Sequence, residues 1–144
     1  MYLCKRVVKM KALKKVNASP KIITIKSNSD FQQIFEKGHS INGRYLVVYF
    51  LHNQQKLSRF GFCVGRKLGI AVARNRVKRR LREVVRQVGR YRHSILQPEN
   101  NGFDIIIVAR KPVLTAQYQD IIRDFEHIML KTGIIGNEQR QDPL

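Results

Sequence analysis

The feature that most constrains this chain is a strongly basic stretch at residues 66–92. It holds eleven lysine or arginine residues and one acidic residue, Glu83, in a chain whose formal net charge is +18. Six of these cations fall between Arg74 and Arg82. Like charges one turn apart on a helix cost about 0.2–0.5 kcal/mol per pair. A polyanionic partner bound to this stretch would offset the repulsion between its cations. We therefore expect nucleic acid, with an anionic membrane surface a distant second.

The apolar residues of the same stretch predict an amphipathic helix that ends near Gly89. They recur at intervals of three and four residues, which places them on one stripe: Ile70, Ala73, Val77, Leu81, Val84, Val85 and Val88. A ladder of basic residues at i, i+4 runs beside the stripe: Arg74, Lys78, Arg82 and Arg86. We expect one face to pack on a core and the opposite face to be almost purely positive.

Length and composition favour one domain with two tails. We expect a flexible basic arm at residues 1–21, a folded domain at residues 22–132 and a polar tail at residues 133–144. No run of about 18 apolar residues and no apolar signal segment is present, so we expect a soluble cytoplasmic protein. Cys4 and Cys63 are too few for a disulfide framework or a metal site, and Cys63 is expected to be a small core residue.

The rest of the chain predicts short alternating elements. Residues 27–38 read as a helix in which Ser27 and Asp30 have capping-box spacing, with Asn28 as the alternative cap. Residues 44–51 and 59–65 are rich in β-branched and aromatic residues, so we interpret them as two strands of one hairpin.

The second half of the chain predicts one more strand and one more helix. Residues 103–109 form an apolar run typical of a strand buried on both faces, and a last helix runs from Thr115 to about Lys131. The order is helix, strand, strand, helix, strand, helix, and a further short strand fits at residues 40–42. This pattern predicts an α+β fold, a two-layer sandwich of a small mixed sheet and about three helices.

No catalytic group is apparent in the sequence. The four histidines, His39, His52, His93 and His127, are scattered, and none has metal-ligand spacing with cysteine or carboxylates. Gly65 and Gly69 are not followed by Lys-Ser/Thr, which excludes a P-loop. We therefore expect a binding protein or a subunit of a larger enzyme.

Residues 69–79, GIAVARNRVKR, resemble the "RNR" signature of the protein subunit of bacterial ribonuclease P. Residues 30–35, DFQQIF, are similar to the first helix of that family, and residues 109–112, ARKP, to the end of its last strand. Arg44 and Tyr49 match the strand that follows the first helix. The resemblance covers roughly residues 24–131.

The resemblance implies a function that periodicity alone does not. Members of this family are the small protein of a ribonucleoprotein that removes the 5′ leader from precursor tRNA. The partners it implies are the catalytic RNA and the precursor leader, with no membrane and no small-molecule substrate. The RNA subunit carries the catalytic centre and its Mg²⁺ ions, so no catalytic or metal-ligating residue is expected in the protein. The family fold also has a left-handed βαβ crossover through the basic helix, where general rules favour a right-handed one.

The resemblance assigns two sets of site residues. The positions that match the face toward the RNA subunit are Arg74, Asn75, Arg76, Lys78, Arg79 and Arg82. The positions that match the leader site are Phe31, Phe35, Tyr49, Arg66 and Lys67. Periodicity alone favours Phe31 and Phe35 as ordinary core residues, and Asn75 as a surface residue bonded to backbone.

The chain also departs from the family pattern. Family members often carry serine at the position of Gly65 and asparagine at the position of Ile70, so polar contacts from these two positions are not expected here. Two other readings stay open. A general RNA-binding or ribosomal protein could use the same basic helix without recognising a leader, whereas a protein-only nuclease would need clustered acids for metal.

Overall fold

The computed structural model describes residues 21–92, 95–96 and 101–134. Nearly all of the predicted basic arm and polar tail, as well as Cys4 and His93, lie outside the described residues. The regular elements, in chain order, are β1 Ile23–Thr24, α1 Asn28–Lys37, β2 His39–Asn42, β3 Leu46–His52, β4 Arg59–Cys63, α2 Ala71–Tyr91, β5 Phe103–Ala109 and α3 Tyr118–Thr132. Short 3₁₀ turns at Arg66–Leu68 and Lys111–Thr115 follow β4 and β5.

The strands form one mixed five-stranded sheet in the order β1-β4-β5-β3-β2. β4 is parallel to both β1 and β5, while β3 is antiparallel to β5 and to β2. The predicted α+β class is thereby confirmed, and β2 confirms the short strand at residues 40–42. The chain connects parallel β4 and β5 through α2, and the left hand of this crossover stays a prediction.

The predicted hairpin between residues 44–51 and 59–65 is wrong. β3 pairs with β2 and β5, and β4 pairs with β1 and β5, so β5 lies between the two strands. The reason is the composition of β5, in which residues 104–107 are all buried. A strand that is apolar on both sides is most stable at the centre of a sheet, where both faces are covered.

Successive side chains of a strand point to opposite faces of the sheet, and the core is therefore divided into two clusters. On one face, α2 and α3 pack on side chains such as Phe60, Ile105 and Ile107 in the larger cluster. On the other face, α1 places Ile34 against Ile106 in a smaller cluster. Because α1 alone covers this second face, side chains around the smaller cluster remain only partly buried, and Phe31 and Tyr49 are among them.

Several predicted details at element ends are wrong. The Ser27 hydroxyl hydrogen-bonds the Ser29 hydroxyl at 2.8 Å instead of capping α1, and Asp30 pairs with Arg59. Ile70 is 73% exposed, because it is the extended residue before α2 and lies outside the buried stripe. The last helix starts at Tyr118, since Lys111–Thr115 forms a 3₁₀ turn around its proline.

Two smaller differences concern α2 and Cys63. α2 continues to Tyr91, two residues beyond the predicted end, because Gly89 is buried where the helix passes Leu96 and does not act as a cap. Cys63 is half-buried beside the smaller cluster. Burial raises the pKa of its thiol, against an opposing effect from the charge of Lys78.

Candidate nucleic-acid interface

Helix α2 has the two faces that its sequence predicts. The apolar stripe is buried against the larger cluster: Val77, Leu81, Val84, Val85 and Val88. The opposite side presents Asn75, Arg76 and Arg79, all of which are exposed. Within residues 21–92, 95–96 and 101–134, no hydrogen bond or ion pair occupies these three side chains. They are therefore available to a ligand outside the protein.

Other cations of α2 are occupied by contacts within the fold. Arg80 donates from Nη2 to the carbonyl oxygen of Ala116 at 3.1 Å, which ties α2 to the segment before α3. Arg86 pairs with Glu83 at 3.3 Å. These two arginines therefore contribute less to the free positive face than their sequence positions suggest.

Arg74 lies at the edge between the buried and exposed faces of α2. It is half-buried, and its Nε is a buried donor with no hydrogen-bond partner in the described part of the chain. The first turn of α2 carries no acidic residue, so the positive end of the helix is not neutralised there. An atom with no exposed surface is out of reach of an outside ligand, so only the exposed part of the Arg74 side chain is available to one.

The predicted aromatic residues meet on the face of the sheet that α1 covers. Phe35 of α1 is 41% exposed, and its ring meets Tyr49 of β3 edge-on, with centroids 4.8 Å apart and planes at 78°. Phe31, one turn earlier, is half-buried against the smaller cluster. The fully buried residue of α1 is Ile34, so the interpretation of both phenylalanines as ordinary core is wrong for Phe35 and only partly correct for Phe31.

A pocket of about 280 Å³ joins this aromatic face to α2. Its lining comes from β1, the adjoining Ile25 and Lys26, α1, β4 and α2: Thr24, Ile25, Lys26, Phe31, Phe60, Phe62, Lys78 and Arg82. The guanidinium of Arg82 lies 5.8 Å from the ring centroid of Phe62. Lys78 and Arg82, which the sequence groups with the outer face of α2, thus share a pocket with Phe31.

Five of the eight lining residues are absent from the predicted sites, among them a lysine and a phenylalanine whose side chains suit RNA. Lys26 lies just before α1, and Phe62 lies near the end of β4. Phe60 and Phe62 are two residues apart in β4, so the sequence predicts that both side chains lie on the same face of the sheet. It does not predict that a pocket lies between this part of the sheet and α2. An isolated lysine before a helix carries no signal of its own.

Arg66 and Lys67 occupy a separate position. Both are exposed in the 3₁₀ turn that follows β4, at the end of the sheet where β5 also ends. The five predicted leader residues thus comprise three grouped aromatic residues and a basic turn. This turn packs beside the Lys111–Thr115 turn.

Comparison with known proteins decides the family. The family model described as Ribonuclease P matches residues 20–133 of this chain. The chain belongs to the ribonuclease P protein family. This family supplies the protein component of a ribonuclease, as the names of the curated relatives state.

Individual relatives are similar in sequence to this chain over most of their own length. The ribonuclease P protein component of Syntrophomonas wolfei is 36% identical over 112 residues, covering 78% of this chain and 88% of that protein. The component from Oceanobacillus iheyensis is 35% identical over 122 residues, covering 83% and 94%.

Solved ribonuclease P proteins share the fold. The Staphylococcus aureus protein, solved at 2.0 Å, has a TM-score of 0.67 and 37% identity, covering 80% of this chain and 99% of that one. The Thermotoga maritima protein has a TM-score of 0.64 and 29% identity, covering 75% and 96%.

The two positions at which the sequence predicts a departure from the family pattern lie beside α2. Gly65 precedes the Arg66–Leu68 turn, and a Cβ at this position would meet nothing within 4 Å. Ile70 is exposed, as is Val72 at 65%, so this ribonuclease P protein presents apolar side chains at the start of its basic helix.

An ion-pair cluster fixes α1 on the sheet. Arg59 of β4 donates from Nε to Asp104 of β5 at 2.8 Å, and its Nη1 lies 3.5 Å from Asp30 in the first turn of α1. The hydrogen bond with Asp104 is the main reason that the pKa of Arg59 is raised. The cluster therefore links both central strands to the helix that carries Phe31 and Phe35.

Two other kinds of site are absent from the described residues. No helix in this part of the chain is long and apolar enough to cross a membrane. Nor do three or more histidine, cysteine or acidic residues come together there in a way that could hold a metal ion.

Proposed function

We propose that this chain is the protein subunit of a ribonucleoprotein ribonuclease P, which binds the catalytic RNA and the 5′ leader of precursor tRNA. It would thereby promote endonucleolytic removal of the leader in tRNA maturation. The observation that carries this proposal is the meeting of two surfaces. Phe31 of α1 lines a pocket that is also lined by cations of the basic helix, and one turn farther along α1 the ring of Phe35 meets that of Tyr49.

The exposed face of α2 suits the RNA subunit. Arg76 and Arg79 are free, and the planar guanidinium group can donate two hydrogen bonds to one phosphate. Asn75 adds no charge, but its amide can donate to and accept from a base or a ribose hydroxyl. Arg74 is half-buried beside this face, and the exposed part of its side chain extends the positive charge.

The aromatic face suits a single-stranded leader. Stacking of a base on an aromatic ring contributes about 1–3 kcal/mol and tolerates any base, which suits leaders of differing sequence. Phe35 and Tyr49 provide the exposed rings, and Phe31 borders the pocket. Lys78 and Arg82 would hold leader phosphates there in addition to contacting the RNA subunit, and Arg66 and Lys67 would hold phosphates farther along.

Mg²⁺ is assigned to the RNA subunit. The side chains at the proposed RNA-binding face are mainly guanidinium and ammonium groups, which repel a divalent cation, whereas Mg²⁺ prefers carboxylate and phosphate oxygens. The side chains of this face therefore do not suit a resident metal. Its contribution is to bind and orient RNA by neutralising phosphate charge.

The test is cleavage of a 5′-labelled precursor tRNA at limiting Mg²⁺ by a bacterial ribonuclease P RNA, with and without this protein. We expect leader release to depend on the protein at low Mg²⁺ and to become independent of it at high Mg²⁺. Tight RNA binding without stimulation, seen with several bacterial ribonuclease P RNAs, would instead favour a general RNA-binding protein.

A further inference from the structure

Gly61 lies in the middle of β4, directly beneath the ring of Phe31. A Cβ atom at Gly61 would lie 2.7 Å from both Cε1 and Cζ of that ring. Carbon atoms in favourable contact are about 3.5–4.0 Å apart. The Phe31 ring thus occupies the space that any larger residue at position 61 would need.

The same ring borders the pocket between α1 and α2. Phe31 lines this pocket of about 280 Å³ together with Lys78 and Arg82. Gly61 is not among the lining residues, so it acts on the pocket only through this ring. A shift of the ring changes the wall that Phe31 gives to the pocket.

We propose that Gly61 is a positioning residue for leader recognition, because it allows the Phe31 ring to lie low on the sheet and keeps the pocket open to a leader nucleotide. This inference rests on the proposed function. It goes beyond that function by giving a role to a residue that itself contacts no RNA.

The backbone conformation at position 61 does not require glycine. Among the described glycines only Gly69 and Gly133 have positive φ, so Gly61 has a conformation that alanine adopts without strain. At Gly38, by contrast, a Cβ would meet the carbonyl groups of Ile34 and Phe50, which are backbone atoms of two elements. At Gly61 it meets the far end of a side chain, so the ring gives way and the sheet stays intact.

The test is Gly61→Ala in the full chain, assembled with the RNA subunit. We expect binding of precursor tRNA to weaken by about three- to tenfold, a part of the full stacking contribution, while binding of mature tRNA is unchanged. The thermal midpoint of the free protein should stay close to that of the wild type. Gly65→Ala is the matched control, since its added methyl group meets open space.

A double-mutant cycle with Phe31→Leu tests whether Gly61 acts through the ring. Leucine is shorter than phenylalanine and leaves room for the methyl group of alanine. We therefore expect Gly61→Ala to weaken precursor binding much less in the Phe31→Leu background than in the wild type. Equal losses in the two backgrounds would overturn the inference.

Two further outcomes would also overturn it. Unchanged precursor binding by folded Gly61→Ala would show that the position of the ring does not matter. Unfolding of Gly61→Ala would make Gly61 a structural residue.

Phe35→Ala, measured in parallel, separates this inference from the proposed function. If Phe35→Ala weakens precursor binding and Gly61→Ala does not, only the inference fails. If neither changes precursor binding, leader binding by this face fails as well.

Discussion

At the scale of single residues, the function of each cation depends on whether its side chain already bonds other groups of the protein. Arg79 and Arg80 are neighbours in the sequence, yet Arg79 is exposed and Arg80 bonds the carbonyl of Ala116. Successive helix residues point about 100° apart, but both sides of α2 carry arginine, so composition does not distinguish them. The sequence predicts the basic face correctly and cannot identify which cations the fold uses.

This difference gives a prediction for RNA binding. Arg79→Ala should reduce the salt dependence of binding to the RNA subunit by about one unit in the log–log slope, because one phosphate contact is lost. Arg80→Ala is the matched control, and it should leave the slope nearly unchanged while lowering the free energy of unfolding. Binding isotherms at several salt concentrations measure the slope. Equal slopes for Arg79→Ala and the wild type would contradict the assignment of Arg79 to phosphate.

Phe35 gives a second prediction at this scale. Phe35→Ala should weaken precursor binding by about 1–3 kcal/mol, because the base loses its stacking partner, and should leave mature tRNA binding unchanged. Leu130→Ala removes a similarly exposed apolar side chain from α3, 37% exposed compared with 41%, and serves as the control. Equal losses for precursor and mature tRNA would argue against a leader contact at Phe35.

At the scale of elements, the helices were easier to predict than their ends. The 3.6-residue period of α2 identified its buried stripe, whereas Ile70 fits the period but precedes the first helical turn. Ser27 has the spacing of a capping box, but its hydroxyl bonds Ser29, and the carboxylate of Asp30 pairs with Arg59. In both cases a tertiary contact or backbone turn overrides a local pattern, and neither is visible in the sequence around it.

The position of α1 depends on the cluster formed by Asp30, Arg59 and Asp104. Arg59→Met should lower the free energy of unfolding by about 2–4 kcal/mol, since it leaves the buried carboxylate of Asp104 without its cation. Arg123→Met is the control, because the ion pair of Arg123 with Asp120 is exposed and contributes little. Urea unfolding measures both variants. A loss no larger for Arg59→Met than for Arg123→Met would show that the cluster does not stabilise the sheet.

At the scale of the whole molecule, the sequence predicted the class of the fold but not the pairing of its strands. Periodicity determines which side chains share a face, and neighbouring strands in the chain are usually paired. Here β5 separates β3 from β4, because its buried residues need cover on both sides. The pocket between α1 and α2 depends on this arrangement, so its lining residues Lys26 and Phe62 could not be found in advance.

The division of the core into two clusters gives a prediction for the domain. Ile106→Ala removes a fully buried side chain beneath α1 and should lower the free energy of unfolding by about 2–5 kcal/mol. Ile107→Ala acts on the opposite face and should cost a similar amount. Only Ile106→Ala should also weaken precursor binding at a temperature where both variants are folded. Loss of leader discrimination in both variants would show that the two faces are not independent.

The central place of β5 also has a consequence for the growing chain. β5 is synthesised after β3 and β4, yet both of these strands pair with it, so this part of the sheet forms only after α2 has been made. Pairings between distant segments form slowly. The highly charged helix α2 is therefore synthesised before the core on which it packs is complete. An RNA that neutralises this segment could reach it before the fold is complete.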